Sequence, residues 1–218
     1  MAAGKRQRPQ AARMGVLLRV ERDLWRAGVT KIAGVDEVGV GPLAGPVVAA
    51  AVAVPEGMRL RGVDDSKKLT PALREALAAE IAARALGVGI GVVDVADIDR
   101  LNIYRAALEA MRRAVLALPF TPEHLVVDAR RIPGLDVPQT PLIHGDARSF
   151  SVAAASIVAK VSRDRMMREL DVLYPHYGFR DNMGYGTPGH LAAIDHHGPS
   201  PVHRRSFAPV RVLRLPGV

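Results

Sequence analysis

The sequence predicts an α/β fold in which a mixed central sheet is flanked by helices. Residues 31–54, KIAGVDEVGVGPLAGPVVAAAVAV, set two short apolar runs on either side of a glycine-rich turn, which reads as strand, turn, strand. Downstream, stretches of helical and strand-like periodicity alternate, as layered α/β architectures require. At 218 residues, 49% of them hydrophobic, the chain is long enough to bury one good core.

Residues 1–15 are basic, contain proline and show no periodicity, so a disordered arm is expected there. Leu17, Leu18, Leu24 and Trp25 are spaced for one face of a helix over residues 16–27 that stops at Gly28, with Trp25 in the core. Residues 55–62 form a loop leading into DDSKKLT. Thr70 followed by Pro71 is a helix start, because threonine caps and proline is tolerated at the first helical position; that helix runs to about residue 86. Residues 88–95 read as a glycine-diluted strand. A second helix covers residues 103–118 and is stopped by Pro119. Short strands follow at residues 125–127, ending on Asp128, and at residues 141–144, followed by Gly145-Asp146. The longest helix spans residues 150–174, and a short one residues 188–197. The expected division is one domain over residues 16–210 with a C-terminal helical segment, and a tail over residues 211–218.

Cysteine is absent, so there is no disulfide framework, thiolate site or cysteine nucleophile, which fits a reducing, cytoplasmic setting. No apolar run is long enough to span a bilayer, and no secretory signal is evident. The net charge of +8 favours a polyanionic partner, nucleic acid first, although arginine excess also follows from codon bias.

The first strand delivers Asp36 and Glu37 to the turn Gly39-Val40-Gly41-Pro42. Neighbouring strand residues point to opposite faces, so these two share a site only if the strand ends there. Two carboxylates at an apolar strand tip read either as a solvated turn or as a pair held by a cation, and hard oxygen donors suit Mg²⁺ or Mn²⁺. Asp128 has the same context, an apolar run and then a carboxylate. Within the long helix, Ser156, Lys160 and Asp164 recur at four-residue spacing and therefore share a face. Four carboxylates (Asp36, Glu37, Asp128 and Asp164) converging from two strand ends and one helix would hold two divalent ions about 3.5–4 Å apart. Neither a P-loop nor a Ser–His–Asp set competes. His196, His197, His203, Arg204 and Arg205 read as a basic surface patch.

Taken together, GVDEVGVGPLAGPVVAAAV, DDSKKLT, VVDA, AAASIVAKVSRDRMM, GYGTPGH and HRRSF resemble bacterial ribonuclease HII, in the right order over about residues 30–207. The resemblance implies the ribonuclease H fold. It also implies metal-dependent cleavage of RNA in RNA–DNA hybrids and 5′ to a single ribonucleotide in duplex DNA, leaving a 3′-hydroxyl and a 5′-phosphate. Asp36, Glu37, Asp128 and Asp164 would bind metal. The turn Gly39, Val40, Gly41 would read the ribose 2′-hydroxyl, Tyr185 would pack on the neighbouring sugar, and Lys67 and Lys68 would meet phosphates. Ser156 and Lys160 would lie beside the phosphodiester. The family usually carries Arg or Lys where this chain has Val40. Two readings of that departure stay open: weaker substrate binding, extending to a nucleic-acid-binding homologue with weakened catalysis, or a residue introduced in place of the family's own. Val40 would also suit an unusual backbone poorly. The related ribonuclease HIII would bring an extra N-terminal domain that some thirty residues cannot supply. RVLRLPGV shows no clamp-binding peptide, and a monomer is expected.

Overall fold

The computed structural model describes residues 10–63, 66 and 69–212. Five strands form one sheet in the order β3-β2-β1-β4-β5. Antiparallel neighbours β1 (Ile32–Val38) and β2 (Val47–Val54) are joined by the glycine-rich turn, and β3 (Gly87–Val93) adds antiparallel to β2. On the other side, β4 (His124–Asp128) runs parallel to β1, and β5 (Gln139–Leu142) parallel to β4. The sheet is therefore mixed, as expected.

Alternation along each strand divides the core in two. Ala33, Val35, Ala49, Ala51, Leu125 and Val127 pack against α5 (Ile103–Leu116) through Ala106, Ala110, Met111 and Ala114. Ala50, Val52 and Val54 face the opposite way, onto α6 (Phe150–Leu173) and the inner face of α3 (Pro71–Arg84). The helices sit very close to the sheet. A Cβ on Gly34 would lie 2.1 Å from the Ser151 carbonyl carbon of α6, and one on Gly91 would lie 1.9 Å from the Ala110 oxygen of α5. Gly89 and Gly91 of β3 are thus seats for the α5 backbone.

Local chemistry accounts for the helix ends. Thr70 Oγ1 accepts from the Leu73 N–H (3.4 Å) with Pro71 in the first turn of α3, and Ser149 Oγ accepts from Val152 N–H (3.3 Å) at the start of α6. Buried Glu21 reinforces that start, its Oε1 accepting from Ser149 Oγ, Ser151 Oγ and Ser151 N–H at 2.6–2.9 Å. The remaining helices are α1 (Gln10–Leu17), α2 (Arg19–Arg26), α4 (Val95–Leu101), α7 (Phe179–Asn182), α8 (Pro188–His197) and α9 (Ala208–Val212). None of the described helices is long and apolar enough to cross a membrane.

Two expectations are corrected. The arm placed over residues 1–15 is already helical from Gln10, because the helix it leads into is anchored by buried Leu17 and Leu18; residues 1–9 lie outside the described residues. The single helix expected over residues 16–27 is divided at Leu18. Trp25 packs against two of the core clusters, as expected.

Candidate active site

The carboxylates gather where the ladder between β1 and β4 splits. That ladder ends at the pair Val35↔Val127, and Asp36, Glu37 and Asp128 are the next residues along the two strands. Carboxyl ends of parallel strands are where open α/β sheets place their sites. The expectation that β1 ends at the acidic pair is corrected: β1 stays paired with β2 to Val38, Asp36 opposite Ala50 and Glu37 opposite Ala49. What ends is the neighbour on the other side, and this opens the space. Each of Asp36, Glu37 and Asp128 offers an oxygen within 4.8 Å of the other two.

Asp36 is buried and faces α6. Its Oδ1 accepts from the Glu37 N–H (2.8 Å), and it also accepts from the Ser156 hydroxyl. Burial, and then the charges of Glu37 and Asp128, hold its carboxyl well above the usual range despite those two bonds. Asp128 Oδ1 accepts from the Gly145 N–H (2.7 Å). Ala129 and His144, which follow Asp128 and precede Gly145, both have φ +57°, an uncommon conformation for residues with a Cβ, and such turns cluster at functional sites. Gly145 and Asp146 then form a single 3-10 turn with Ala147.

Asp164 does not join this group. Lys160 donates to its Oδ1, and Arg74 Nη2 stands 3.8 Å from Oδ2, so the i, i+4 spacing that suggested a shared chemical face closes as an ion pair. Ser156 is likewise turned inward, with its Oγ 2.9 Å from the Ser66 Oγ. Asp146 is the acidic residue that the sequence reading passed over. Its local signal was weaker than that of Asp128: Asp128 ends β4 itself, whereas Asp146 lies four residues beyond Leu142, the last residue of β5.

The turn after β1 is held from inside by two buried arginines. Arg204 donates to the carbonyls of Gly39 (2.6 Å), Val40 (3.1 Å), Pro42 (2.8 Å) and Gly45 (2.8 and 3.0 Å). Arg163, on α6, donates to Ala44 (3.1 Å), Pro46 (3.0 Å) and Met183 (3.0 Å). Burial lowers both guanidinium pKa values, to about 10 for Arg163 and about 9 for Arg204, and both stay protonated at neutral pH. With its carbonyls drawn inward, the turn leaves the N–H groups of Val40 and Gly41 without a hydrogen bond among the described residues. Gly39 has φ +90°, and a Cβ there would lie 2.3 Å from Arg163 Nε. Val40 does not share that conformation, so the backbone objection to valine disappears.

Tyr185 lies 47% exposed, with its ring 3.7 Å from where a Cβ on Gly41 would stand. Its backbone is held by a buried relay. His203 Nδ1 accepts from the Ser200 N–H (2.9 Å), so its Nε2–H donates to His190 Nε2 (2.9 Å), and His190 Nδ1–H donates to the Tyr185 carbonyl (2.8 Å). Both rings are neutral. Burial, reinforced by the neighbouring His190, pushes His203 down to about 4, and burial also lowers His190. The expected basic surface patch is therefore corrected. His203 and Arg204 are fully buried because loop carbonyls and His190 satisfy them, whereas His196, His197 and Arg205 stay exposed. Lys67 and Lys68 lie outside the described residues, as do residues 213–218, the end of the segment searched for a clamp-binding peptide.

Comparison with known proteins agrees with this architecture. The family model for ribonuclease HII matches residues 33–210. Ribonuclease HII of Geobacillus thermodenitrificans is 58% identical over 209 residues, 95% of this chain and 80% of that protein. Among solved structures, ribonuclease H2 from Pyrococcus horikoshii superimposes with a TM-score of 0.73 at 30% identity, covering 84% of this chain and 96% of that one. Ribonuclease HII of Archaeoglobus fulgidus, solved in complex with PCNA, gives 0.71 at 28% identity, covering 86% and 98%. From the carboxylate triplet at the split of the parallel ladder to the sequence match that contains it, the chain belongs to the ribonuclease HII family of RNase H endonucleases.

Proposed function

We propose that this endonuclease cleaves the RNA strand of RNA–DNA hybrids, and duplex DNA 5′ to a single embedded ribonucleotide, leaving a 3′-hydroxyl and a 5′-phosphate. The observation that carries the reading is the juxtaposition of the triplet Asp36, Glu37 and Asp128 with a turn whose Val40 and Gly41 N–H groups make no hydrogen bond among the described residues and whose rim carries an exposed tyrosine. The donor set fits Mg²⁺ or Mn²⁺: the three residues offer hard oxygens only, and Asp36 sits in a field that a cation would relieve. Asp36, Glu37 and Asp128 would hold the ions. Asp146, on the turn whose Gly145 N–H is bonded to Asp128, is the better candidate for a fourth ligand than Asp164, which Lys160 and Arg74 already neutralise. Divalent cations, when bound, supply Lewis-acid polarisation of the phosphodiester and a more acidic attacking water.

The protein's own part is recognition and placement. The Val40 and Gly41 N–H groups offer donors to a ribose 2′-hydroxyl, the group that distinguishes RNA from DNA. Tyr185 offers an apolar ring to the adjacent sugar, and the net charge of +8 favours a phosphate-bearing partner. Presence of the triplet and the ordinary backbone at Val40 support a working enzyme over a binding-only homologue. The test is cleavage of a duplex carrying one ribonucleotide, and of an RNA–DNA hybrid, with Mg²⁺, Mn²⁺ or EDTA. Cleavage of an all-DNA duplex, or activity that survives EDTA, would overturn the assignment.

A further inference from the structure

The buried face formed by Ser156, Lys160 and Asp164 is not spent on substrate, and its partners show what it does. Ser66 and Ser156 are 4% and 7% exposed, so water does not replace their mutual bond. Ser156 donates to the Asp36 carboxyl, which leaves the Ser156 oxygen to accept from the Ser66 hydroxyl at 2.9 Å. Ser66 sits in the DDSKKLT loop. Its carbonyl accepts from Arg74 Nη1 (2.9 Å), which also bonds the Leu69 carbonyl (2.6 Å), while Arg74 Nη2 reaches toward Asp164. One face of α6 thus grips the loop at two points two turns apart, and the first grip continues into the carboxylate site.

We infer that Ser66 and Ser156 form a two-hydroxyl relay that orients the Asp36 carboxylate and keys it to the DDSKKLT loop, making both serines positioning residues for cleavage. This rests on the reading of Asp36 as a metal ligand. Outer hydrogen bonds to ligating carboxylates fix their rotamers, and their loss costs affinity and rate without removing a ligand. A loop fastened to the carboxylate by an ordered hydroxyl pair also gives any contact made by the loop a mechanical route to the metal site.

The test uses Ser66→Ala, Ser156→Ala and the double variant, changes that remove one oxygen each and leave the backbone able to fold. Mn²⁺ alone is titrated into each protein and free Mn²⁺ is followed by electron paramagnetic resonance. Each single variant should bind Mn²⁺ about tenfold more weakly. Because the relay is serial, the double variant should be no weaker than Ser156→Ala. On the single-ribonucleotide duplex, kcat should fall about tenfold with KM within about threefold of wild type. Wild-type Mn²⁺ affinity in both single variants overturns the relay, as do losses that multiply in the double variant. A rise in KM with kcat unchanged also overturns it, since that marks a substrate contact. Wild-type protein that binds Mn²⁺ but cleaves neither ribonucleotide substrate overturns the functional reading and leaves the relay standing. Failure of the wild type to bind Mn²⁺ overturns both.

Discussion

Replacing Arg204 with methionine isolates the role of the buried guanidinium beneath the turn. The side chain keeps an unbranched apolar stem but loses the guanidinium and its five N–H···O contacts to four carbonyls. Val40 is 38% exposed, so its carbonyl can rehydrate, whereas Gly39, Pro42 and Gly45 are buried. Three stranded carbonyls cost about 1–3 kcal/mol each, and relief from burying a cation returns part of that. A net loss of about 3–5 kcal/mol follows, or a fall in Tm of about 10 °C for a chain of this size. Urea titration gives the free energy, and thermal melting gives the shift. Cleavage should fall as well, because the N–H groups of Val40 and Gly41 lose their fixed direction. Arg204→Lys keeps the charge without the planar fork and should land between the two. A loss below about 1 kcal/mol for Arg204→Met, or Arg204→Lys indistinguishable from wild type, would refute the claim that the guanidinium holds the turn.

Other expectations follow from the same geometry. Asp128→Asn and Asp146→Asn should each reduce cleavage by more than about 100-fold, while Asp164→Asn lowers thermal stability and costs activity less than about tenfold; the reverse ranking in single-turnover assays would restore Asp164 as a ligand. His203, held down to about 4 against about 6.5 in the unfolded chain, makes the unfolded state bind the proton first as pH falls. Its stabilisation is therefore full above about pH 6.5 and is lost between there and about pH 4, on the order of 3 kcal/mol, so urea midpoints should drop across that window in wild type and less in His203→Gln. Tyr185→Ala should leave Tm nearly unchanged, given its half-exposed ring, while cutting cleavage at a single ribonucleotide more than cleavage within a hybrid; a large fall in Tm with parallel losses would make it a packing residue. Val40→Arg, at an exposed position in ordinary backbone, should tighten duplex binding by about 1.5–3 kcal/mol in anisotropy titrations, and no gain would show that the turn needs no basic side chain.

The parts of the fold legible in the sequence were those written locally. The turn after β1, the Thr70–Pro71 start of α3, the long run of α6 and the strand that ends on Asp128 each carry their signal within a few residues. Where partners lie far away in the chain, the same local signal misled. HRR reads as surface charge, yet Arg204 is buried by carbonyls some 160 residues earlier, and His203 by His190 and Ser200. The Lys160–Asp164 spacing suits an active-site face and an ion pair equally, and only Arg74 on α3 and Ser66 in the loop decide between them. Helix α4 was missed because Asp94 Oδ1 caps a segment too short to show a period.

Gly34 bears on all of this through what it lacks. It lies against Ser151 and Val152, and two residues further along β1 Asp36 meets Ser156. Two strand residues advance about 6.6 Å, and four or five helical residues about 6–7.5 Å, so β1 and α6 keep step over this stretch like two rules laid edge to edge. The zero of that scale is a missing methyl group. Were position 34 any thicker, the rules would part, and a hydroxyl one turn further along would no longer reach its carboxylate.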